Sequence, residues 1–193
     1  KIRKDILINK REQNFSFDIA SKPEFVDLDP DKILVGQVID NKKAADYLYQ
    51  YKNVPTYYNR IEAIKFATKN KSNESQLILL AGLEDQQDDL RTLSIKGIEL
   101  NNDAVKSLLN VAKNDKNTTA RAAAIIKLAS TGDASYKELM QESTKNQSYN
   151  VIAAGIVGLT KFSADEADKA LSTLDQDTKD HVTVLIKKFN NQK

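Results

Sequence analysis

The sequence predicts a mainly α-helical protein, in which HEAT-like α-α superhelical repeats follow a short β-hairpin or β-sandwich remnant. Pro55 is the last of the three prolines, so the rest of the chain lacks the residue that most reliably breaks helices. Apolar residues after Pro55 recur with the period of a helix, whereas several before it alternate as in a strand. Short motifs also recur about every 30 residues, which is typical of stacked helix pairs.

The N-terminal part is predicted to be β-rich. Four short apolar runs have the length or the alternation of strands: residues 6–8, 14–19, 25–28 and 33–35. The first two are expected to form a hairpin, and Phe15, Phe17 and Ile19 share one face of the second. A sheet with one apolar face needs a second layer. Either the downstream helices or strands that precede Lys1 are expected to supply it, and we favour the strands.

Residues 1–38 are therefore predicted to be the end of a β-sandwich domain, and residues 39–193 an α-helical repeat domain. Four segments have apolar side chains spaced i, i+3, i+4, i+7 along one helix face: residues 105–112, 122–129, 167–174 and 182–189. Capping boxes predict helix starts at Ser135 and Ser163. Gly132 and Asn146 suit helix ends.

The repeat itself is visible in one motif. Arg60-x-x-Ala63-Ile64 recurs as Arg91-x-x-Ser94-Ile95 and as Arg121-x-x-Ala124-Ile125. One unit would contain helices at residues 90–100 and 102–113. Gly97, Gly155 and Gly158 lie inside predicted helices, where glycine is less favourable than alanine. Close packing between neighbouring backbones is the expected reason for them.

Composition excludes several classes of function. The net charge is +2, with 29 basic and 27 acidic side chains and no basic run, so nucleic acid is not expected as a partner. No apolar run approaches the roughly 18 residues of a membrane helix, so no membrane association is expected. Without cysteine there is no disulfide, Cys-based zinc site or iron–sulfur cluster. Cytoplasmic and periplasmic or secreted locations both stay open.

Three sets of polar residues could carry chemistry, and a structural role is favoured for each. His181 is the single histidine and cannot form a zinc site or a catalytic triad alone. Residues 27–31 resemble the opening of a calcium loop, but Lys32 and Val38 stand where glycine and glutamate are required. The acidic residues of 84–89 are expected to favour a helix start. We predict no catalytic, cofactor-binding or metal-binding residue in this chain.

Tyrosines crowd around Pro55, where the β-rich part meets the helices. The candidate site there consists of Tyr47, Tyr51, Tyr57, Tyr58 and Arg60. Large amphipathic rings suit a domain junction, and they also suit a ligand surface. We favour the junction.

Five motifs along the chain carry a resemblance to a known family. In order they are Phe15-Ser16-Phe17-Asp18-Ile19, Ser21-Lys22-Pro23, Val26-Asp27-Leu28-Asp29-Pro30-Asp31-Lys32-Ile33-Leu34, Tyr58-x-Arg60-x-Glu62-Ala63-Ile64 and Ser148-Tyr149-x-Val151-x-Ala153-Ala154. Together they resemble the C-terminal region of bacterial M1 family zinc aminopeptidases. The resemblance covers nearly the whole chain, and its motifs are structural.

The resemblance implies a thermolysin-like catalytic domain, then a β-sandwich ending near Val38, then a helical domain that closes over the active site. The family binds zinc through H-E-x-x-H and a downstream glutamate, and a G-x-M-E-N motif binds the amino terminus of the substrate. Neither motif occurs in this sequence. The resemblance therefore implies zinc only in a catalytic domain outside this chain, and no catalytic residue can be transferred to it.

Two functions of different classes follow. The first is a noncatalytic C-terminal module of an M1 metallopeptidase, which caps the active site and shapes peptide access. Its partners would be the catalytic and β-sandwich domains of the same polypeptide, and the peptide substrate indirectly. The second is an independent HEAT-like scaffold for protein–protein interaction. Small-molecule binding at the tyrosine-rich junction ranks third.

Overall fold

The fold of the described residues is mainly α-helical. The computed structural model describes residues 2–36 and 38–191, and these contain ten α-helices, one short 3₁₀ turn and no β-strand. The helices are α1 (Ala44–Asn53), α2 (Tyr57–Ala67), α3 (Asn73–Gly82), α4 (Asp88–Gly97), α5 (Asn102–Asn114), α6 (Thr118–Ala129), α7 (Lys137–Ser143), α8 (Tyr149–Leu159), α9 (Ala164–Ser172) and α10 (Gln176–Asn190). Lys1, Gln37, Gln192 and Lys193 belong to the predicted domain ranges and lie outside the described residues.

The first eight helices pack as successive pairs, and α9 packs on α8. The even-numbered helices α2, α4, α6, α8 and α10 lie in one row, each against the next. Helix α1 packs on α2, α3 on α4, α5 on α6 and α7 on α8. Helix α3 also contacts both α1 and α5. Each pair therefore buries its apolar faces partly against the pair before it, which one helix could not do alone.

The even-numbered helices begin at regular intervals. Helices α2, α4, α6 and α8 start at Tyr57, Asp88, Thr118 and Tyr149, which are almost equally spaced along the chain. Shortly before each of α4, α6 and α8, one side chain accepts a hydrogen bond from the backbone N–H group two residues further along the chain. The three acceptors are Asp85, Asp115 and Asn146, at 2.9, 2.8 and 3.0 Å. The period of the sequence motifs is thus a period of helix starts.

Helix α8 lies at the centre of the C-terminal half. All nine residues from Val151 to Leu159 are buried, as expected for a helix that is apolar on every side. A Cβ atom on Gly155 would lie 2.8 Å from the backbone oxygen of Met140. One on Gly97 would lie 2.6 Å from Thr68 Cγ2, and one on Gly158 would also be too close to the Met140 side chain. The predicted close approach of a neighbouring backbone is thus confirmed at Gly155, whereas Gly97 and Gly158 make room mainly for the side chains of Thr68 and Met140.

Helix α1 precedes Pro55 and lies within the predicted helical range of residues 39–193. One helix-start prediction is wrong. Ser135 does not cap a helix. Asp133 accepts a hydrogen bond from the Ser135 backbone N–H at 2.9 Å instead, and a 3₁₀ turn at residues 134–136 leads into α7. At the second predicted box only the helix start is confirmed, because Ser163 accepts from the backbone N–H of Glu166 at 3.2 Å. The Glu166 carboxylate does not complete the box, since it accepts from Lys137 and Gln141 while the Ser163 N–H donates to the backbone oxygen of Leu159.

The predicted β-hairpin is not formed in the described residues before α1. Every residue from 2 to 24 is exposed, and Phe15, Phe17 and Ile19 are 39%, 50% and 43% exposed. A hairpin whose apolar face is open to water is only marginally stable, which accounts for the missing strands. The helices do not cover this face, so a cover from elsewhere stays a prediction.

Candidate functional site

The junction between the N-terminal segment and the first helix pair is the candidate site. Residues 25–36 and 38–42 are here called the strap, which contacts α1 through Phe25 and α2 through Pro30, Lys32 and Lys42. Phe25 and Asp27 are half-buried and Asp29 is buried, whereas Val26 and Leu28 between them are 59% and 60% exposed. The strap therefore turns two carboxylates toward the protein and its aliphatic side chains toward water, which reverses the usual arrangement.

A turn in the strap is fixed to α2. The carboxylate of Asp29 accepts hydrogen bonds from the backbone N–H groups of Ile33 and Leu34, both at 3.0 Å. Burial of Asp29 opposes its ionisation, but these hydrogen bonds and nearby Lys32 outweigh burial and hold its pKa below the ordinary value. The side-chain amide of Asn59 in α2 donates to the backbone oxygen of Pro30 at 3.0 Å.

The acidic run that resembled a calcium loop is thus a capped turn. No group of histidine, aspartate and glutamate side chains that could hold a metal ion occurs among the residues described. The carboxylate of Asp29 has its backbone donors as partners, so the turn itself accounts for that residue.

Two ammonium groups and three carboxylates meet where the strap crosses α2. The side chain of Lys42 is only 5% exposed. Its Nζ lies 2.9 Å from Asp40 Oδ2, an ion pair without hydrogen-bond geometry, and 3.7 and 3.8 Å from Glu62 Oε2 and Asp27 Oδ1. Lys32 Nζ lies 3.1 Å from Glu62 Oε2 and 3.5 Å from Asp27 Oδ1. Charges from the strap and from α2 therefore form one network.

Aromatic rings enclose the same ammonium group. Lys42 Nζ is 5.6 Å from the ring centroids of both Phe25 and Tyr47, within the range of cation–π attraction. Phe25 stacks on Tyr49 at 5.6 Å, and Tyr47 stacks on Phe66 at 4.1 Å. Burial, followed by nearby Asp40 and Glu62, raises the pKa of Tyr47. Tyr47 therefore lies where the strap meets the first helix.

A buried amide joins this network to the helix pair. Gln50 of α1 is fully buried, and its Nε2 donates to the backbone oxygen of Asn59 and to Glu62 Oε2, both at 2.8 Å. Glu62 therefore contacts α1 through Gln50 and the strap through two lysines. Nothing in the sequence indicated Gln50, Lys42 or Glu62 as site residues.

Two residues of the predicted site meet around a carboxylate. Arg60 Nε donates to Asp85 Oδ2 at 2.8 Å, and the hydroxyl of Tyr51 donates to the same oxygen at 2.9 Å. The Asp85 side chain is 2% exposed. Burial, together with the hydrogen bond to Asp85, raises the pKa of Tyr51. Arg60 and Tyr51 thus hold the turn between α3 and α4 against the first helix pair.

The other two tyrosines lie apart from that carboxylate. The hydroxyl of Tyr57 donates to Asp89 in α4, and this hydrogen bond is the main cause of its raised pKa. Tyr58 is 62% exposed and meets the Tyr57 ring edge to face. The five predicted site residues are therefore divided among three places, and they do not share one ligand pocket.

Two clefts lie elsewhere on the helices, and none of the five residues lines either. One of about 420 Å³ lies at the C-terminal ends of α2, α4 and α6. Lys127 forms part of its wall and donates to the backbone oxygen of Lys96 at 3.3 Å. Burial lowers the pKa of Lys127, although nearby Glu99 opposes this. Cations are favourable near helix C-termini, so a structural role accounts for Lys127. The other, of about 390 Å³, is an open groove beside α4.

The single histidine lies on the surface. His181 is exposed and stacks on Tyr149 with 4.8 Å between the ring centroids. Its Nδ1 lies 2.9 Å from the backbone oxygen of Asp177, one turn earlier in α10. The contacts of His181 with Tyr149 and with its own helix agree with the structural role favoured from the sequence.

No helix among the residues described is both long and apolar enough to cross a bilayer. Comparison with protein-family models, with curated proteins and with solved structures finds no match. The resemblance to M1 aminopeptidases therefore stays a prediction.

Proposed function

We propose that this chain is a noncatalytic helical module of an M1-type zinc metallopeptidase. It would cap the active site of that enzyme and shape the access of peptides to it. Zinc and the catalytic residues would belong to another domain of the same polypeptide, since no M1 catalytic motif occurs in this sequence. The observation that carries the proposal is that the strap turns its carboxylates toward the protein and its aliphatic side chains toward water.

Among the described residues, most of the exposed large apolar side chains belong to the N-terminal segment. Fourteen of the twenty exposed large hydrophobic side chains of the described residues lie between residues 2 and 39. An apolar surface of this kind marks an interface in a stable protein. Because Phe15, Phe17 and Ile19 alternate, the surface has the period of a strand. A β-sheet layer of the parent polypeptide is the cover that fits it.

The helical part is proposed to be a HEAT-like α-α repeat. Support comes from the row of even-numbered helices, from their evenly spaced starts, and from arginine at the fourth position of α2, α4 and α6. Stacked pairs of this kind present an extended surface. Such a surface suits a domain that closes over a peptide-binding site, and the strap would set its position relative to the sheet.

The proposal can be tested on the native polypeptide. Antibodies raised against the helical part would isolate it from cells that carry the gene, and its intact mass, zinc content and release of amino acids from aminoacyl-4-nitroanilides would be measured. We expect a polypeptide longer than this chain, with bound zinc and chelator-sensitive activity. The isolated chain should release no amino acid. A native polypeptide without an H-E-x-x-H motif, or turnover by the isolated chain, would contradict the proposal.

An independent HEAT-like scaffold for protein–protein interaction is the second candidate. The regular row of even-numbered helices favours it, because stacked repeats commonly serve as binding surfaces. The same isolation separates the two candidates. A native polypeptide that begins within a few residues of Lys1, carries no zinc and copurifies with another protein would favour the scaffold.

A further inference from the structure

The strap is attached to the helices mainly by charged and polar contacts. The apolar core of the described chain contains no residue before Tyr47. The contacts of the strap with α2 are instead the ion pairs of Lys32 and Lys42 with Glu62 and the Asn59–Pro30 hydrogen bond. Apart from the stacking of Phe25 on Tyr49 of α1, the attachment of the strap therefore depends on a small number of charged and polar contacts.

We propose that Lys42 locks the strap onto α1 and α2, and that loss of its positive charge releases the strap while the helical body stays folded. This inference does not depend on the proposed function. It makes the strap a conformational element with a docked and a released state, because charge pairing rather than core burial decides between them.

Lys42 occupies a special position because its ammonium group contacts both sides of the attachment. Asp27, Asp40 and Phe25 approach it from the strap, and Tyr47 and Glu62 approach it from the helices. Without it, three carboxylates would face one ammonium group, that of Lys32. Like charges held together in a poorly solvated place repel each other strongly.

Lys32 is expected to contribute less than Lys42 to the attachment of the strap. Its side chain is 22% exposed, against 5% for Lys42, so solvent screens its ion pairs more effectively. It also lacks the two enclosing rings. Because Lys42 is more buried than Lys32, loss of the Lys42 charge is expected to weaken the attachment of the strap more than loss of the Lys32 charge.

Release of the strap can be measured by spin labelling, because the chain contains no cysteine. Labels at Val26→Cys and Lys65→Cys, both exposed positions, would report the distance between the strap and α2. Labels at Lys65→Cys and Lys145→Cys, also exposed, would report a distance within the helical body. In the otherwise unaltered chain both pairs should give a single narrow distance distribution.

Lys42→Met keeps the size of the side chain and removes its charge. We expect the ratio of docked to released strap to fall at least about tenfold, since one partner of a buried ion pair is lost. The distance within the helical body should stay unchanged. Lys42→Arg should keep the strap docked, and Lys52→Met, which removes an exposed charge from α1, should have no effect.

The outcome can overturn the proposal in two ways. An unchanged strap distance in Lys42→Met would show that the charge does not hold the strap. Equal broadening of both distances would show that Lys42 stabilises the whole protein rather than the strap. If Lys42→Met does not fold, Glu62→Gln gives a second test from the helix side. It should release the strap without changing the distance within the body, and a docked strap in that variant would refute the lock.

Discussion

Arg60 Nε lies 2.8 Å from Asp85 Oδ2 in an almost fully buried ion pair that links α2 to the turn between α3 and α4. The relationship recurs in the next repeat, where Arg91 Nε lies 2.6 Å from Asp115 Oδ2. Asp85 also accepts from the backbone N–H of Gln87 before α4, and Asp115 makes the equivalent contact before α6. Each carboxylate therefore joins one even-numbered helix to the start of the next.

Asp85→Ala is expected to be strongly destabilising. It leaves the buried guanidinium of Arg60 without its carboxylate, and breaking a buried pair in this way typically costs about 3–5 kcal/mol. Glu99→Ala is the matched control, because it breaks the Lys71–Glu99 pair, whose side chains are 88% and 60% exposed. That loss should stay below about 1 kcal/mol. Urea unfolding would measure both, and equal losses would show that the buried pair has no special role.

Asn146→Asp is expected to stabilise the protein. Asn146 holds the position equivalent to Asp85 and Asp115, whereas Arg121 holds the position equivalent to Arg60 and Arg91 and donates to the backbone oxygen of Ala112. A carboxylate at 146 would give Arg121 the partner that Arg60 and Arg91 have, and it would contribute about 1.5–3 kcal/mol, as hydrogen bonds to charged groups typically do. A double-mutant cycle with Arg121→Met tests the reason. If the cycle gives no coupling free energy between positions 121 and 146, the carboxylate does not contact Arg121 and the explanation is wrong.

Gly155→Ala and Gly158→Ala should differ in cost. A Cβ on Gly155 meets backbone atoms, the Met140 oxygen at 2.8 Å and the Thr144 nitrogen at 2.9 Å. A Cβ on Gly158 meets mainly the Met140 side chain, which is flexible and can move aside. Overpacking of a core typically costs about 1–3 kcal/mol, and we expect Gly155→Ala near the upper end. Thermal unfolding of both variants would measure the order, and a larger loss for Gly158→Ala would contradict it.

The recurrence of arginine in the sequence corresponds to a recurring contact at two of its three positions. Arg60 and Arg91 each pair with an aspartate, whereas Arg121 donates to the backbone oxygen of Ala112. The interval from Arg60 to Arg91 is nearly the same as the interval between their partners, Asp85 and Asp115. Asp85 was assigned to a helix start, which its bond to Gln87 confirms. Its pairing with Arg60 could have been inferred from the shared period of the two residue types.

The attachment of the strap could not be predicted in this way. Lys42 and Glu62 lie on different elements, and no recurring motif connects them. Their contact depends on the path of an irregular segment, which local propensity does not determine. The apolar alternation of residues 14–19 suggested a strand, but strand formation also needs a covering layer. The described residues do not contain one.

Tyr51→Phe is expected to change the response of the protein to alkaline pH. Because burial and Asp85 raise the pKa of Tyr51 above its ordinary value of 10.0, the unfolded chain ionises this hydroxyl at lower pH than the folded protein does. Below about pH 10 the hydroxyl is neutral in both states, and its hydrogen bond to Asp85 stabilises the fold. Above that pH the unfolded state loses a proton that the folded state keeps, so stability falls as pH rises toward the folded pKa.

At pH 8 the variant should therefore be less stable than the unaltered protein by about 1 kcal/mol, and the difference should shrink between about pH 10 and 11.5. Urea unfolding over this range would measure it, with Tyr58→Phe at an exposed position as the control. A constant difference across the range would mean that Tyr51 titrates alike in both states.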